Sequence, residues 1–202
     1  MYEYSDSELE EGEHVLLRSM FPKAKNLTIK EIMKNTPYSS YERNNSYLKS
    51  LSNKKIIKEE KIGKTLVYSL IPNNWHSKKA FYYYSLERTR IFSEKHKTIS
   101  SAVRELSGEE IDFCAIFGSY AKGTEKKESD IDLLCVTFKK EKVETLTATI
   151  KRKYGLDIQQ VIMPRKEFGK IKKENPEFWA ALVNYGVIFK GYELFYHYAY
   201  ET

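Results

Sequence analysis

One stretch constrains this chain more than any other: residues 111–136, with the sequence IDFCAIFGSYAKGTEKKESDIDLLCV. An apolar run ends at Gly118, and a second apolar run begins after Asp132. Bounded apolar runs of this length predict two buried strands, joined here by a glycine-containing turn and a short helix or loop. The stretch therefore predicts a sheet with a polar site where its strands meet the turn.

Two acidic residues open the second predicted strand. Side chains at positions i and i+2 of a strand point to the same face, so Asp130 and Asp132 project together. Neighbouring carboxylates repel each other unless a cation lies between them. Because Mg2+ takes oxygen ligands of this kind, often together with substrate phosphates, the pair predicts a magnesium site.

The turn before this pair has the complementary chemistry. Gly118 lets the backbone come close to a ligand, and free N–H groups near Ser119, at a turn or helix start, suit a phosphate. The residues alone also fit a pair of strands with a solvated loop and two surface aspartates. Taken together, the turn and the aspartates favour a site for a phosphate and its metal.

Two submotifs carry a family resemblance. Residues 118–123 are G-S-Y-A-K-G and residues 129–133 are S-D-I-D-L. In this order, at this spacing and after an apolar strand, they resemble the signature of the DNA polymerase β-type nucleotidyltransferases, above all the minimal members. The resemblance implies an α+β fold with a small mixed sheet flanked by helices. It also implies transfer of a nucleoside monophosphate from a nucleoside triphosphate, with ATP expected, to an acceptor hydroxyl.

The resemblance implies roles for individual residues. Asp130 and Asp132 would bind one or two Mg2+ ions that bridge the triphosphate. The family's third carboxylate is a metal ligand or general base on the next strand, and the matching residue is Asp157. The nucleotide-binding residues that the resemblance implies are Gly118, Ser119, Lys122 and Ser129.

The third carboxylate has an alternative placement. In the segment GLDIQ at residues 155–159, Asp157 and Gln159 would share one face of a strand. Some registers against the family pattern put Gln159 at the third position. An amide cannot act as a general base, so that register would leave the site crippled or restricted to nucleotide sensing. We favour Asp157.

The N-terminal region has a different organisation. Three helical patterns are followed by two short apolar runs around a glycine turn, an order that resembles a winged helix-turn-helix domain. In that family the third helix enters the DNA major groove and the hairpin touches the backbone. The predicted helices cover residues 7–21, 28–33 and 40–51, and the predicted hairpin covers residues 56–71 with its turn at 62–64.

Charge supports a nucleic-acid partner for this region. Residues 22–64 hold eleven lysines and arginines against four acids, a net charge of +7, whereas the whole chain carries +6. Such a patch suits phosphate contacts, although a winged helix used only for protein contact or dimerisation also fits. The predicted DNA-binding residues are Tyr41, Arg43, Asn44, Lys49 and Lys64.

The predicted domains are a winged helix at residues 1–73, one or two linking helices at 74–107 and a nucleotidyltransferase domain at 108–202. The aromatic run at residues 81–84 favours packing over base stacking. Winged-helix regulators usually pair to contact two half-sites, so we expect a homodimer with its seam around residues 81–92.

Composition limits the protein's environment. The acidic N-terminus, MYEYSDSELEEGEH, lacks the apolar segment of a signal peptide, and no apolar run is long enough to span a membrane. The two cysteines, Cys114 and Cys135, fall on the two strands of the central stretch and resemble small buried hydrophobes. We therefore expect a cytoplasmic protein without membrane contact.

Three functions remain open at this point. The first is an active nucleotidyltransferase whose acceptor is a protein hydroxyl, a nucleic-acid 3′ end or a small molecule. The second is a DNA-binding regulator whose nucleotidyltransferase domain binds nucleotide or a partner without turnover. In the third, the winged helix holds a nucleic-acid substrate for the second domain.

Overall fold

A computed structural model of the chain describes residues 8–108 and 110–201. The chain is α+β and divides into two compact units, one ending at Tyr84 and the other spanning Ser85–Tyr200. This division falls inside the segment that was predicted to link two domains. The predicted boundaries at residues 73 and 107 remain predictions.

The first unit follows the predicted order of three helices and a hairpin. Its antiparallel strands are joined at Gly63, which has a φ of 61°. Leu27 adds an isolated bridge to Tyr68. The elements are α1 (Glu11–Ser19), α2 (Ile29–Met33), α3 (Tyr41–Asn53), β1 (Ile57–Ile62) and β2 (Thr65–Leu70).

Polar caps fix the starts of these helices. The Thr28 hydroxyl accepts a hydrogen bond from the Glu31 N–H and starts α2, and the Ser40 hydroxyl accepts one from the Arg43 N–H and starts α3. Helix α1 begins later than predicted, with a capping box formed by Glu10 and Glu13. Ser7, the first residue of the predicted helix, lies outside the described residues.

Helices α1 and α3 pack closely in the core of the first unit. Gly12 is required there, because a Cβ at this position would lie 2.2 Å from the ring of Tyr47. Leu16, Leu48 and Leu51 are fully buried beside this contact. The remaining fully buried large side chains of the unit are Leu17, Met20, Phe21, Ile32, Ile56 and Tyr68.

A buried ion pair also joins α1 to the end of α3. Glu13 is only 1% exposed, and the Lys54 ammonium donates to both of its carboxylate oxygens at 2.9 and 2.8 Å. Burial alone would raise the pKa of Glu13. Hydrogen bonds from Lys54, Ser50 and the Glu10 N–H outweigh this effect, so the pKa lies below its ordinary value of 4.5. The carboxylate is therefore held in its charged form.

Replacing Lys54 by methionine should destabilise the first unit by about 2 kcal/mol, because a buried acceptor loses its charged donor. Urea unfolding at neutral pH measures this loss. Since the folded pKa of Glu13 is depressed, the pair stabilises the fold above about pH 4.5 and loses its effect as the pH falls. The deficit of the variant should therefore shrink in acid, and a deficit independent of pH would contradict this account.

Helix α4 (Trp75–Lys95) and helix α5 (Lys97–Leu106) show that the predicted linking segment contains two helices. Within the first unit, the ring of Phe81 meets Phe21 edge-on at 5.4 Å, which agrees with the preference for packing. Phe81 is buried within its own chain, while Tyr82 and Tyr83 are about half exposed, at 46% and 48%. The homodimer remains a prediction.

The second unit is built on a four-stranded mixed sheet. Its strand order is β5-β4-β3-β6, where β4 and β5 are parallel and the other two pairs are antiparallel. The strands are β3 (Phe113–Ile116), β4 (Ile131–Val136), β5 (Ile158–Met163) and β6 (Val187–Lys190). The helices after α5 are α6 (Gly118–Lys122), α7 (Lys140–Tyr154), α8 (Arg165–Phe168), α9 (Ile171–Glu174), α10 (Pro176–Tyr185) and α11 (Tyr192–Tyr196), and a π-helical turn (His197–Glu201) follows.

Both faces of this sheet are covered. One face packs on α5 and α7 through Val103, Val143 and Ile150, and it includes the free, buried thiols of Cys114 and Cys135, which are register partners. The other face holds an aromatic cluster of Phe113, Phe168, Trp179 and Phe195. Side chains alternate in direction along β3 and β4, so each strand contributes to a core on both faces of the sheet, as expected for a sheet between helices.

Helix α4 covers the β6 edge of the sheet with side chains. The Thr89 hydroxyl donates to the Ile188 carbonyl at 2.7 Å, and the Arg88 guanidinium donates to the carbonyls of Asn184 and Tyr185. The Ile188 carbonyl at the sheet edge is satisfied in this way, whereas Arg88 satisfies carbonyls at the end of α10. Among the described residues, no helix has the length and hydrophobicity needed to cross a membrane.

Candidate functional site

The site forms where β3 ends and β4 begins. Phe117 follows β3, and its N–H donates to the Asp132 carbonyl at 2.9 Å, which fixes the end of one strand against the start of the other. Gly118 then begins α6 with a φ of 68°, a left-handed conformation that favours glycine. The chain therefore reverses directly beside Asp132.

Gly118 and Asp132 are in close contact. A Cβ added to Gly118 would lie 1.8 Å from Oδ2 of Asp132 and 2.6 Å from its Cγ. No side chain fits between this backbone and the carboxylate. The two predicted submotifs are thus brought together in the structure as one site.

The Asp132 carboxyl lies in an environment that disfavours its charge. Burial raises its pKa, the charge of Asp130 raises it further, and the Ser119 N–H opposes both effects. The charge of Asp130 therefore acts on the Asp132 carboxyl. A bound cation would relieve this repulsion.

The loop between α6 and β4 is held by its own hydrogen bonds. The Ser129 hydroxyl accepts from the Lys126 N–H at 2.8 Å, and the Ser129 N–H donates to the Lys126 carbonyl at 3.0 Å. Ser129 therefore orders the loop immediately before Asp130. Lys122, at the end of α6, is exposed, and its ammonium lies 5.7 Å from the centre of the Tyr185 ring.

The third acidic position differs from the first two. Gln159 is the register partner of Asp132, whereas Asp157 precedes β5 and its carbonyl accepts from the Ile131 N–H. The Asp157 side chain is 70% exposed and lies 3.5 Å from the Lys151 ammonium. In the described part of the chain, no group of three or more His, Cys, Asp or Glu side chains is arranged to hold a metal. The structure thus places Asp157 just before β5, at an exposed position beside Lys151, and places Gln159 opposite Asp132.

Two contacts with α6 were missed by sequence reasoning. The His96 ring lies 5.4 Å from the Tyr120 ring, and its Nε2 is 3.5 Å from Oε1 of Glu125 in the loop before Asp130. On the other side, Phe117 meets Phe178 of α10 edge-on at 5.1 Å. These partners are distant along the chain and carry no motif, so only the fold could bring them to the site.

Comparison with known proteins gives a family match within this unit. Residues 97–189 match the model of the family described as Polymerase beta, Nucleotidyltransferase. This segment is a nucleotidyltransferase domain. The match spans just under half of the chain and confirms that part of the sequence prediction. No curated protein matches the chain.

The donor set of the nucleotidyltransferase domain fits magnesium. Mg2+ is commonly held by one or two carboxylates together with substrate phosphates, so a pair of aspartates suffices on the protein side. Asp130 and Asp132 supply such a pair, and burial together with the charge of Asp130 raises the pKa of Asp132. The turn at Gly118 and Ser119 lies against the same carboxylate, where a metal-bound phosphate would meet it.

The predicted DNA-binding residues divide into two groups in the structure. Tyr41, Lys49 and Lys64 are exposed, as is Arg43, whose guanidinium lies 4.0 Å from the centre of the Tyr38 ring. A stacked arginine of this kind is held in an extended position before any ligand arrives. These four side chains are accessible to a partner.

Asn44 was predicted to face outward as a DNA-binding residue, and this prediction is wrong. It is fully buried, and its side-chain amide donates to the carbonyls of Tyr38 and Ser40 at 3.0 and 2.6 Å. Its carbonyl oxygen accepts from the Thr36 hydroxyl at 3.3 Å. Asn44 therefore ties the turn before α3 to the helix and does not face a ligand.

Proposed function

We propose that this chain is a Mg2+-dependent nucleotidyltransferase that transfers a nucleoside monophosphate from a nucleoside triphosphate, with ATP as the expected donor, to an acceptor hydroxyl and releases pyrophosphate. The observation that carries the proposal is the contact between Gly118 and Asp132, which unites a phosphate-type turn and a metal-type carboxylate in one site. The family match of residues 97–189 supports the same chemistry.

Each residue of the site has a role in this proposal. Asp130 and Asp132 would hold Mg2+, which supplies positive charge to the reacting phosphate and lowers the pKa of the attacking hydroxyl when bound. The backbone at Gly118 and the Ser119 hydroxyl would orient the terminal phosphates. Lys122, stacked near Tyr185, would add positive charge at the outer end of the triphosphate.

A direct assay tests this function. The purified chain is incubated with Mg2+ and each α-32P-labelled nucleoside triphosphate, with its own chain, transfer RNA or DNA as acceptor. Label on an acceptor that disappears in Asp130→Ala and Asp132→Ala supports the enzyme. If no acceptor class gains label from any nucleotide, the proposed activity fails.

A second function is favoured by the third acidic position. Gln159 stands opposite Asp132, and the exposed Asp157 pairs with Lys151. An amide cannot act as a general base, so this arrangement suits a domain that binds nucleotide without turnover. In that case the chain is a DNA-binding regulator, and it would show salt-sensitive DNA binding but no label transfer.

In both functions we propose that the first unit is a winged helix-turn-helix that binds DNA, as a homodimer. The order of three helices and a hairpin supports this, as do the exposed side chains of Tyr41, Arg43, Lys49 and Lys64. Lys54 does not contribute to the DNA surface, since it pairs with the buried Glu13.

Replacing Arg43 by alanine should weaken DNA binding by about tenfold, because it removes a pre-oriented cation from the outer face of α3. The slope of log affinity against log salt should also become shallower by about one unit. Fluorescence anisotropy with a labelled duplex measures both. Arg152→Ala is the matched control, since Arg152 is an exposed arginine of the second unit; an equal loss in both variants would contradict a surface centred on α3.

A further inference from the structure

A cavity of about 200 Å3 lies between α1 and α4 within the first unit. His14 and Arg18 approach it from α1, and Lys79 and Tyr83 approach it from α4, with Ala80 as the remaining lining residue. Each helix contributes residues four positions apart, which lie on one helix face. The cavity is thus bounded by two rows of polar side chains.

The charged side chains that line this cavity are all positive. Its lining contains two permanent cations and an imidazole but no carboxylate. In the described part of the chain, neither Arg18 nor Lys79 takes part in an ion pair. The neighbouring acid, Glu13, is turned to Lys54. Among the residues that the structure describes, the two cations of this cavity therefore have no ion-pair partner.

The positive charge around the cavity affects the pKa of His14. The His76 ring lies 6.4 Å from the His14 ring. Burial lowers the pKa of His14, the charges of Lys79, His76 and Arg18 lower it further, and Glu13 acts in the opposite direction. The surroundings of His14 thus favour loss of its proton, and an anion in the cavity would reverse this preference.

We propose that this cavity is a binding site for a phosphate group, held by Arg18, Lys79 and Tyr83 with His14 at its side. An arginine fork, an ammonium and a phenol are all donors, and phosphate oxygens are acceptors. The volume equals that of about six or seven liquid waters, which admits a phosphate with a few waters but not a nucleoside triphosphate. The site is separate from Asp130 and Asp132, which belong to the second unit, and it does not depend on the proposed transfer activity.

NMR of the histidine side chains in the full chain tests this site. The His14 signals are assigned among the four histidines by their loss in His14→Gln. Inorganic phosphate is then added at constant ionic strength, maintained with sodium chloride. We expect a saturable shift of the His14 signals and a higher pKa of His14 in the bound form.

Two variants and a control locate the phosphate. Arg18→Gln and Lys79→Gln should each weaken phosphate binding by about tenfold, since each loses a charged donor. Lys34→Gln makes the same change in charge at an exposed position outside the cavity and should bind as the wild type does. Unchanged chemical-shift dispersion shows that each variant remains folded.

Competition identifies the source of the phosphate. If a DNA duplex displaces inorganic phosphate from His14, the site holds a backbone phosphate; if DNA leaves the shift unchanged and pyrophosphate or phosphate monoesters compete, it holds a free ligand. Both results support the site. It is overturned if chloride reproduces the phosphate shift at equal ionic strength, or if Arg18→Gln and Lys79→Gln bind phosphate as tightly as Lys34→Gln.

Discussion

Replacing Asp132 by asparagine is expected to reduce nucleotidyl transfer by at least about 100-fold without destabilising the fold. Charge stabilisation by a bound metal contributes several kcal/mol to such a reaction, and each 1.4 kcal/mol corresponds to a factor of about ten in rate. The folded site raises the pKa of Asp132, so its carboxylate is less favourable in the folded state than in the unfolded chain. A neutral amide of the same shape removes that penalty.

The two effects are measured separately, by label transfer and by thermal unfolding in the absence of metal. Asp112→Asn is the control, because Asp112 is an exposed aspartate just before β3 and away from the turn. In the wild type, Mg2+ should raise the unfolding temperature, and in Asp132→Asn it should have a smaller effect. An Asp132→Asn protein that transfers label at the wild-type rate would show that this carboxylate is not part of the reaction.

Replacing Gly118 by alanine is expected to lower the free energy of unfolding by about 3 kcal/mol and to abolish transfer. The φ of 68° costs an alanine about 1 kcal/mol. The added methyl group would also overlap Oδ2 of Asp132, 1.8 Å away, so either the carboxylate or the turn must move. Since the proposed metal site and the proposed phosphate site share this contact, moving either one would separate them.

Gly123 provides a matched control for this substitution. Its φ is 71°, close to that of Gly118, but nothing lies within 4 Å of a Cβ added there. Gly123→Ala should therefore cost only the conformational term of about 1 kcal/mol and retain transfer. Urea unfolding and label transfer on both variants separate backbone strain from steric overlap. Equal losses in the two variants would exclude the contact with Asp132 as the cause.

Much of the fold could be predicted because local signals and burial agreed. Thr28 and Ser40 cap the helices that follow them, and the glycine at 63 forms the hairpin turn. Strand β3 carries an unbroken apolar run, the run of β4 is interrupted by Asp132, and both strands are buried on both faces. The contact of the turn with Asp132 could be predicted because two submotifs occur at a specific spacing. The two together constrain the site more than either submotif alone.

Other features depend on packing between distant segments. Asn44 was predicted to face outward, but its amide is buried and donates to carbonyls of the turn before α3. The periodicity of the sequence does not reveal these contacts. His96 reaches Tyr120 only through the junction of α4 and α5. The choice between Asp157 and Gln159 depended on the register of β4 and β5, because the two residues share one strand face and a shift of two residues exchanges them. A single sequence does not specify that register.

The side chains of α4 that cover β6 also limit how molecules of this protein can associate. In the sheet of the second unit, β5 and β6 each have a single strand neighbour, and Thr89 of α4 donates to the Ile188 carbonyl of β6. A strand that another molecule adds to this sheet is therefore expected at β5. Two copies joined there, edge to edge, would leave no further margin for a third, so this sheet can give a closed pair but cannot propagate into a fibre.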